Sequence, residues 1–258
     1  QLKRLIESCA YLAEVRKAPE STGFFYDMNQ HEQQEWVDEL LSRTEFVPSN
    51  ATVCLLDTGI TAAHRLLAPA VSESRIQAVD STWRTDDQDG HGTQMAGVAL
   101  YRDLKARLTS TSREEIVHTL ESVKILHPTE SHEPALYGAV TEQAVALAEI
   151  ENPTADRAIC MAVTAPSYST NDGSPSSWSG AIDSITSGAD GSNDKRLMFI
   201  SAGNVTSREL SASHFHDANI LHGVENPGQA WNAVTVGAYN DNVTLDDPQY
   251  KGFTAVAD

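Results

Sequence analysis

Positive charge is scarce in this chain. Its 258 residues hold 18 Lys and Arg against 36 Asp and Glu, a formal net charge of −18. That balance excludes nucleic acid and anionic membrane surfaces as partners, because holding phosphate needs clustered cations. The acidity itself serves solubility. Long apolar stretches are missing as well, so no segment reads as a membrane span, which needs about 18 consecutive apolar residues. Cysteine is limited to Cys9, Cys54 and Cys160, an odd and widely spaced set that excludes a disulfide framework. Cys54 and Cys160 lie in apolar, strand-like runs, where a thiol acts as a small hydrophobe. No Gly-x-Gly-x-x-Gly and no phosphate-binding lysine loop follows a strand, which argues against a nucleotide-binding domain. The chain starts at Gln1 without a secretory signal pattern.

What is present suffices for a sizeable core: 40% of residues are hydrophobic. The length suits one large domain, alone or with an appendage. Leu2, Leu5, Ile6, Cys9, Leu12 and Val15 recur at helical spacing, and Trp36, Val37, Leu40 and Leu41 form a second stripe. Pro48-Ser49-Asn50 then reads as a turn or linker. Residues 1–50 are therefore read as an N-terminal helical extension with its linker, serving as structural appendage or pro-segment. Residues 51–258 form the main domain.

From Ala51 onward, strands and helices alternate. Ala51–Leu56 is a buried strand, and the residues from His91 to about Ala106 are a helix. Val123-Lys124-Ile125-Leu126 is a strand; the stretch before it is open between strand and a helix capped by Ser112 and Glu115. Pro134–Ile150 is an amphipathic helix stopped by Asn152-Pro153. Ala158–Val163 is a strand. Ser174-Pro175 reads as an N-cap with proline at the first helical position, opening a helix to about Ala189. Leu197–Ser201 and Ala233–Val236 are strands. Such alternation predicts a doubly wound, largely parallel α/β sheet with crossover helices.

Three segments carry chemistry. Val53-Cys54-Leu55-Leu56 delivers Asp57 into the small-residue turn Thr58-Gly59, at the carboxyl end of a strand, where open α/β sheets gather ligand groups. Taken alone, Asp57 would be a turn-capping residue. A two-aspartate protease would need a second Asp-Thr-Gly in a mostly β fold, and none is present. Asp89-Gly90-His91-Gly92-Thr93 places His91 between glycines at a helix start. A carboxylate on one ring nitrogen would fix the tautomer and leave the other as a base. Ser201-Ala202-Gly203-Asn204 ends an apolar strand with Asn204, whose amide is a candidate donor to a developing oxyanion.

In this order the segments resemble the subtilisin-like (subtilase) serine proteases. Val53 through His64 is similar to the family's Asp segment, Asp89 through Thr93 with Ala96-Gly97 to its His segment, and Ser201 through Asn204 to its oxyanion segment. Gln94 and Met95 depart from the usual residues there. Val123-Lys124-Ile125-Leu126, Cys160-Met161-Ala162-Val163-Thr164 and the stretch from Asn226-Pro227 to Val236-Gly237-Ala238 match further family segments, so the likeness runs over residues 51–258. It implies an Asp-His-Ser endopeptidase that cuts polypeptide, in which Asp57 orients His91, His91 is the general base and Asn204 stabilises the oxyanion. It implies that Ala162, Val163 and Thr164, facing Ala202 and Gly203, border the pocket for the residue before the cut.

The family's serine lies in a Gly-Thr-Ser segment that opens a helix, and no such segment occurs in residues 1–258: Gly92-Thr93 runs into Gln94, and Ser201, Ser207, Ser211 and Ser213 lack the motif. The expectation is a peptidase domain truncated before its serine, with a sheet incomplete on the C-terminal side and no activity by itself. Its partner would then be the missing C-terminal portion of the same protein. The alternative is a pseudo-protease that binds peptide without cutting. No cofactor is expected. Some relatives hold structural calcium through loop carboxylates, but Asp86-Asp87-Gln88-Asp89 is read as a solvated turn. His214-Phe215-His216-Asp217 with His222 is read as a solvated loop rather than a zinc site, and His127 and His132 as loop residues near the substrate edge. The absence of disulfides and of a signal points to a cytoplasmic bacterial branch, with secretion left open.

Overall fold

The computed structural model describes residue 25 and residues 28–166, 173–204 and 222–238. The expected stripe from Leu2 to Val15, and His214, His216 and Asp217, lie outside the described residues.

The strands are β1 (Thr44–Phe46), β2 (Ala51–Asp57), β3 (Val71–Ala78), β4 (Glu114–Ile116), β5 (Thr119–Lys124), β6 (Asp156–Met161), β7 (Leu197–Ser201) and β8 (Val234–Val236). The helices are α1 (Gln30–Ser42), α2 (His91–Tyr101), α3 (Leu104–Thr109), α4 (Tyr137–Glu151) and α5 (Ser177–Ser187). Six strands form one sheet in the order β3-β5-β2-β6-β7-β8, every pair parallel. The chain leaves central β2 for the β3 edge, returns through β5, and then builds outward on the other side. That is the doubly wound α/β architecture expected from the alternation.

β2 reads as a continuous apolar run because both of its faces are covered. Cys54 and Leu56 face a core with Ala144, Val145 and Ala148 of α4 and Trp178, Ile182 and Ile185 of α5. Leu55 faces the opposite core, with Leu40 of α1 and Ala96, Leu100 and Tyr101 of α2. Period two along one strand therefore sorts its side chains between two helix layers. Burial pushes the Cys54 thiol far above its ordinary value, with Glu121 adding to the effect, and also raises Cys160. Both remain neutral thiols.

α1 is opened by a capping box in which the Asn29 side chain accepts from the Glu32 amide while the Glu32 carboxylate accepts from the Asn29 amide. It is pinned to the main body by the β1–β4 pair, by an ion pair between Arg65 and Asp38, and by Arg43, which donates to the carbonyls of Ser112 and Arg107.

Several boundaries differ from expectation. The helix from His91 breaks at Arg102, in a left-handed conformation (φ 59°), and Asp103 caps a new helix by accepting from the Ala106 amide. Ser176, not Ser174, caps α5: Ser176 and Ser179 exchange side-chain and backbone hydrogen bonds, so Pro175 lies outside the helix. The ambiguous stretch before Val123 is two strands, β4 and β5, and β5 ends at Lys124, short of Leu126. β3 was not expected from the sequence: it is an edge strand, mostly polar, with a register shift between Val71 and Ile76 that spoils its alternation. Among the described residues no helix is long and apolar enough to cross a membrane.

Candidate active site

β2 ends on Asp57 at the centre of the sheet, beyond whose carboxyl edge α/β folds bind ligands. Asp57 is 1% exposed. Its Oδ1 lies 2.8 Å from His91 Nδ1 and accepts the Thr58 amide at 2.7 Å. The His91 side chain is 44% exposed, so a buried carboxylate meets an imidazole that still reaches solvent.

The two segments are held together below the pair. Gly92 at the start of α2 abuts the Gly59 carbonyl, and a Cβ at Gly92 would collide with that oxygen. The close approach lets the Thr58 hydroxyl accept from the Gly92 amide at 2.9 Å while donating to Asp87 Oδ1 at 2.9 Å. The remaining Asp87 oxygen accepts from the Thr93 amide at 2.8 Å and the Thr93 hydroxyl at 2.6 Å. Asp87 Oδ1 also takes the amides of Asp89 and Gly90. The first amides of α2 are therefore capped from the Asp57 turn and from Asp87 rather than by a side chain at Gly90.

This overturns the reading of Asp86-Asp87-Gln88-Asp89 as a merely solvated turn. Burial acts to raise the Asp87 pKa, but hydrogen bonds from Thr93, Gly90 and Thr58 outweigh it and hold it at about 2. Lys124, with no exposed surface, anchors the same loop by donating to the Asp86 carbonyl at 2.8 Å and to Gln88 Oε1 at 3.2 Å. Sequence reasoning missed Asp87 and Lys124 as organisers. Only the Lys124 position opposite Asp57 in a paired strand could have signalled it.

On the other side of β2, the ends of β6 and β7 run side by side, Met161 opposite Ile200. Ala162, Val163 and Thr164 continue one strand, and Ala202, Gly203 and Asn204 the other. A single turn staples both. The Ala165 amide donates to the Asn226 carbonyl at 2.7 Å, the Glu225 amide to the Ala202 carbonyl at 2.8 Å, and the Ala202 amide to the Val236 carbonyl at 2.9 Å. Asn204 is exposed, at the same edge of the sheet as Asp57.

The loop of His127 and His132 wraps Trp83: both rings pack on the indole, His127 at 5.0 Å, and Trp83 Nε1 donates to Glu130 at 3.1 Å. Together with Val163 and Thr164 that loop borders a cavity of about 160 Å³. Trp83 gave no signal in the sequence. His222 lies 3.4 Å from Glu225.

A carboxylate–imidazole pair at the centre of a parallel sheet, beside two diverging strand ends, can move a proton next to an extended ligand. No curated protein matches the chain. The sequence profile of the Subtilase family, peptidase S8, matches residues 49–254, well over half of its length. The chain belongs to the subtilase family of serine peptidases.

Proposed function

We propose that this chain supplies the proton-handling and oxyanion half of a serine endopeptidase acting on polypeptides. Asp57 accepts from His91 Nδ1, fixing the tautomer and later stabilising the imidazolium. His91 Nε2 takes the proton of an attacking serine and then delivers it to the leaving amine. Asn204 donates its side-chain amide to the oxyanion of the tetrahedral intermediate. Ala162, Val163, Thr164, Ala202 and Gly203 border the residue before the cut. The observation that carries this reading is the 2.8 Å contact between a buried carboxylate and a half-exposed imidazole. No cofactor takes part in any of these steps.

Residues 1–258 contain no Gly-Thr-Ser. On this reading the nucleophile comes from outside them, and these residues alone are expected to be inert. The test is labelling with a serine-reactive fluorophosphonate, applied to the full natural protein, to the 258-residue chain and to a His91→Ala form of the full protein. Labelling confined to the unaltered full protein supports the proposal. No labelling of either natural form replaces it with the peptide-binding pseudo-protease. Labelling of the 258-residue chain means that one of its own serines is the nucleophile.

A further inference from the structure

α2 begins at His91 and presents an open apolar face further along. Between that face, the loop from His64 to Leu67 and the start of α3 lies a cavity of about 310 Å³, lined by Leu66, Leu67, Val98, Tyr101 and Leu104. Gly97 forms part of its wall, and a Cβ built there would meet nothing within 4 Å. Val98 is 55% exposed. The groove lies in the helix layer of α1 and α2, away from the ends of β6 and β7.

The first residues of the chain enter the same layer. Phe25 packs edge-on against Trp36 of α1, with ring centroids 5.5 Å apart, and both join the core that contains Leu66, Leu67, Tyr101 and Leu104. The ion pair between Asp38 and Arg65 ties α1 to the loop at the edge of the groove. α3 touches α1 and borders the groove with Leu104. The Nζ of its next residue, Lys105, is buried without a hydrogen-bond partner. An ammonium shut away from water in that state marks an edge completed by residues outside the described ones.

Ahead of Phe25, Leu2, Leu5, Ile6, Cys9, Leu12 and Val15 recur at helical spacing. An apolar stripe of that kind forms a stable helix only when its face is covered. Residues 16–24 separate the stripe from Phe25, and a stretch of that length reaches up to about 30 Å. Such a tether gives the segment an effective concentration of about millimolar at a nearby surface, which favours it over any free partner.

We propose that residues 2–15 dock as an amphipathic helix in this groove, with their apolar face against Gly97 and Val98, and so brace the helix whose first residue is His91. The contact is independent of the peptidase reading.

The test is a thiol cross-link in the 258-residue chain. Val98→Cys places a thiol in the groove, and a short bismaleimide can join it to the natural Cys9. Ile150→Cys, 78% exposed on α4 across the sheet, is the comparison, and Cys9→Ser is the blank. Cross-linking from Cys9 to position 98 should be at least about tenfold faster than to position 150, the advantage of a docked over a merely tethered segment. Gly97→Leu added to V98C fills the cavity from the helix itself and should remove that preference while the melting temperature holds. Equal rates at positions 98 and 150, or a preference that G97L leaves unchanged, overturn the proposal. A cross-linked product that migrates as a dimer also overturns it, and gives the groove to the stripe of a second copy. If V98C does not fold, hydrogen exchange decides: slow exchange of the amides of residues 5–12 that G97L speeds at least about tenfold supports docking, and exchange that G97L leaves unchanged overturns it.

Discussion

Glu121 and Asp57 sit on neighbouring strands of one sheet, each almost fully buried, and their surroundings are opposites. Glu121, near the amino end of β5, is 2% exposed and is paired with a permanent cation: it accepts from Arg157 Nε at 2.7 Å and from Asn152 Nδ2 at 2.7 Å. Arg157 is tied into the same end of the sheet, since its Nη2 also donates to the Ala148 and Asn152 carbonyls that end α4. Asp57, at the carboxyl end of β2, meets instead a histidine that is 44% exposed and keeps a second ring nitrogen. A charge closed off by a permanent cation holds the fold together. A charge shared with an imidazole that keeps a second, solvent-facing ring nitrogen can do chemistry.

Four substitutions can break or sharpen this contrast. His91→Ala in the full protein should lower kcat by on the order of 10⁶, about 8 kcal/mol in the barrier, with little change in melting temperature. Retained turnover would remove His91 from the mechanism. Arg157→Ala should do the reverse. It strands a buried carboxylate and should cost about 3–5 kcal/mol in denaturant unfolding, while specific activity per folded molecule is kept. A loss below about 1 kcal/mol would erase the distinction between the two ends of the sheet.

Gly92→Ala forces a methyl group into the Gly59 carbonyl and should cost about 1–3 kcal/mol, because either β2 or α2 must shift. Activity should fall with it, since that shift separates Asp57 from His91; normal activity in a destabilised protein would mean that the contact only supports the fold. The smallest effect concerns pH. The Asp87 pKa is lower in the folded chain, so its contribution is fully present above the ordinary aspartate value and is lost as pH falls toward about 2. Allowing for solvent screening, that contribution is about 1 kcal/mol. Asp87→Asn should flatten this part of the acid unfolding curve, and an unchanged curve would show that its hydrogen bonds add nothing to stability.

Much of the site could be read in advance because its pieces are local. Val53–Asp57 shows a buried strand by its unbroken apolar run, and the glycines around His91 show where backbone must come close. The shifted boundaries have local causes too: Arg102 in a left-handed conformation and an Asp103 cap divide what reads as one helix, and Ser176 takes the capping role that the sequence pattern assigns to Ser174-Pro175. β3 escaped because an edge strand need not be apolar.

By itself, then, the sequence determined the α/β alternation, the position of Asp57 at a strand end, His91 at a helix start and Asn204 beyond another strand. Each follows from periodicity, small residues and turn chemistry within about ten neighbours. Tertiary structure alone decided that Thr58 joins Asp87, 29 residues away, to the helix of His91, that Lys124 anchors the Asp86–Gln88 loop and that Glu225 lies between Thr164 and Gly203, 61 residues from Thr164 along the chain. Side chains that far apart meet only because parallel strands are joined by long crossovers, and the register that brings them together is set by the packing of the whole sheet.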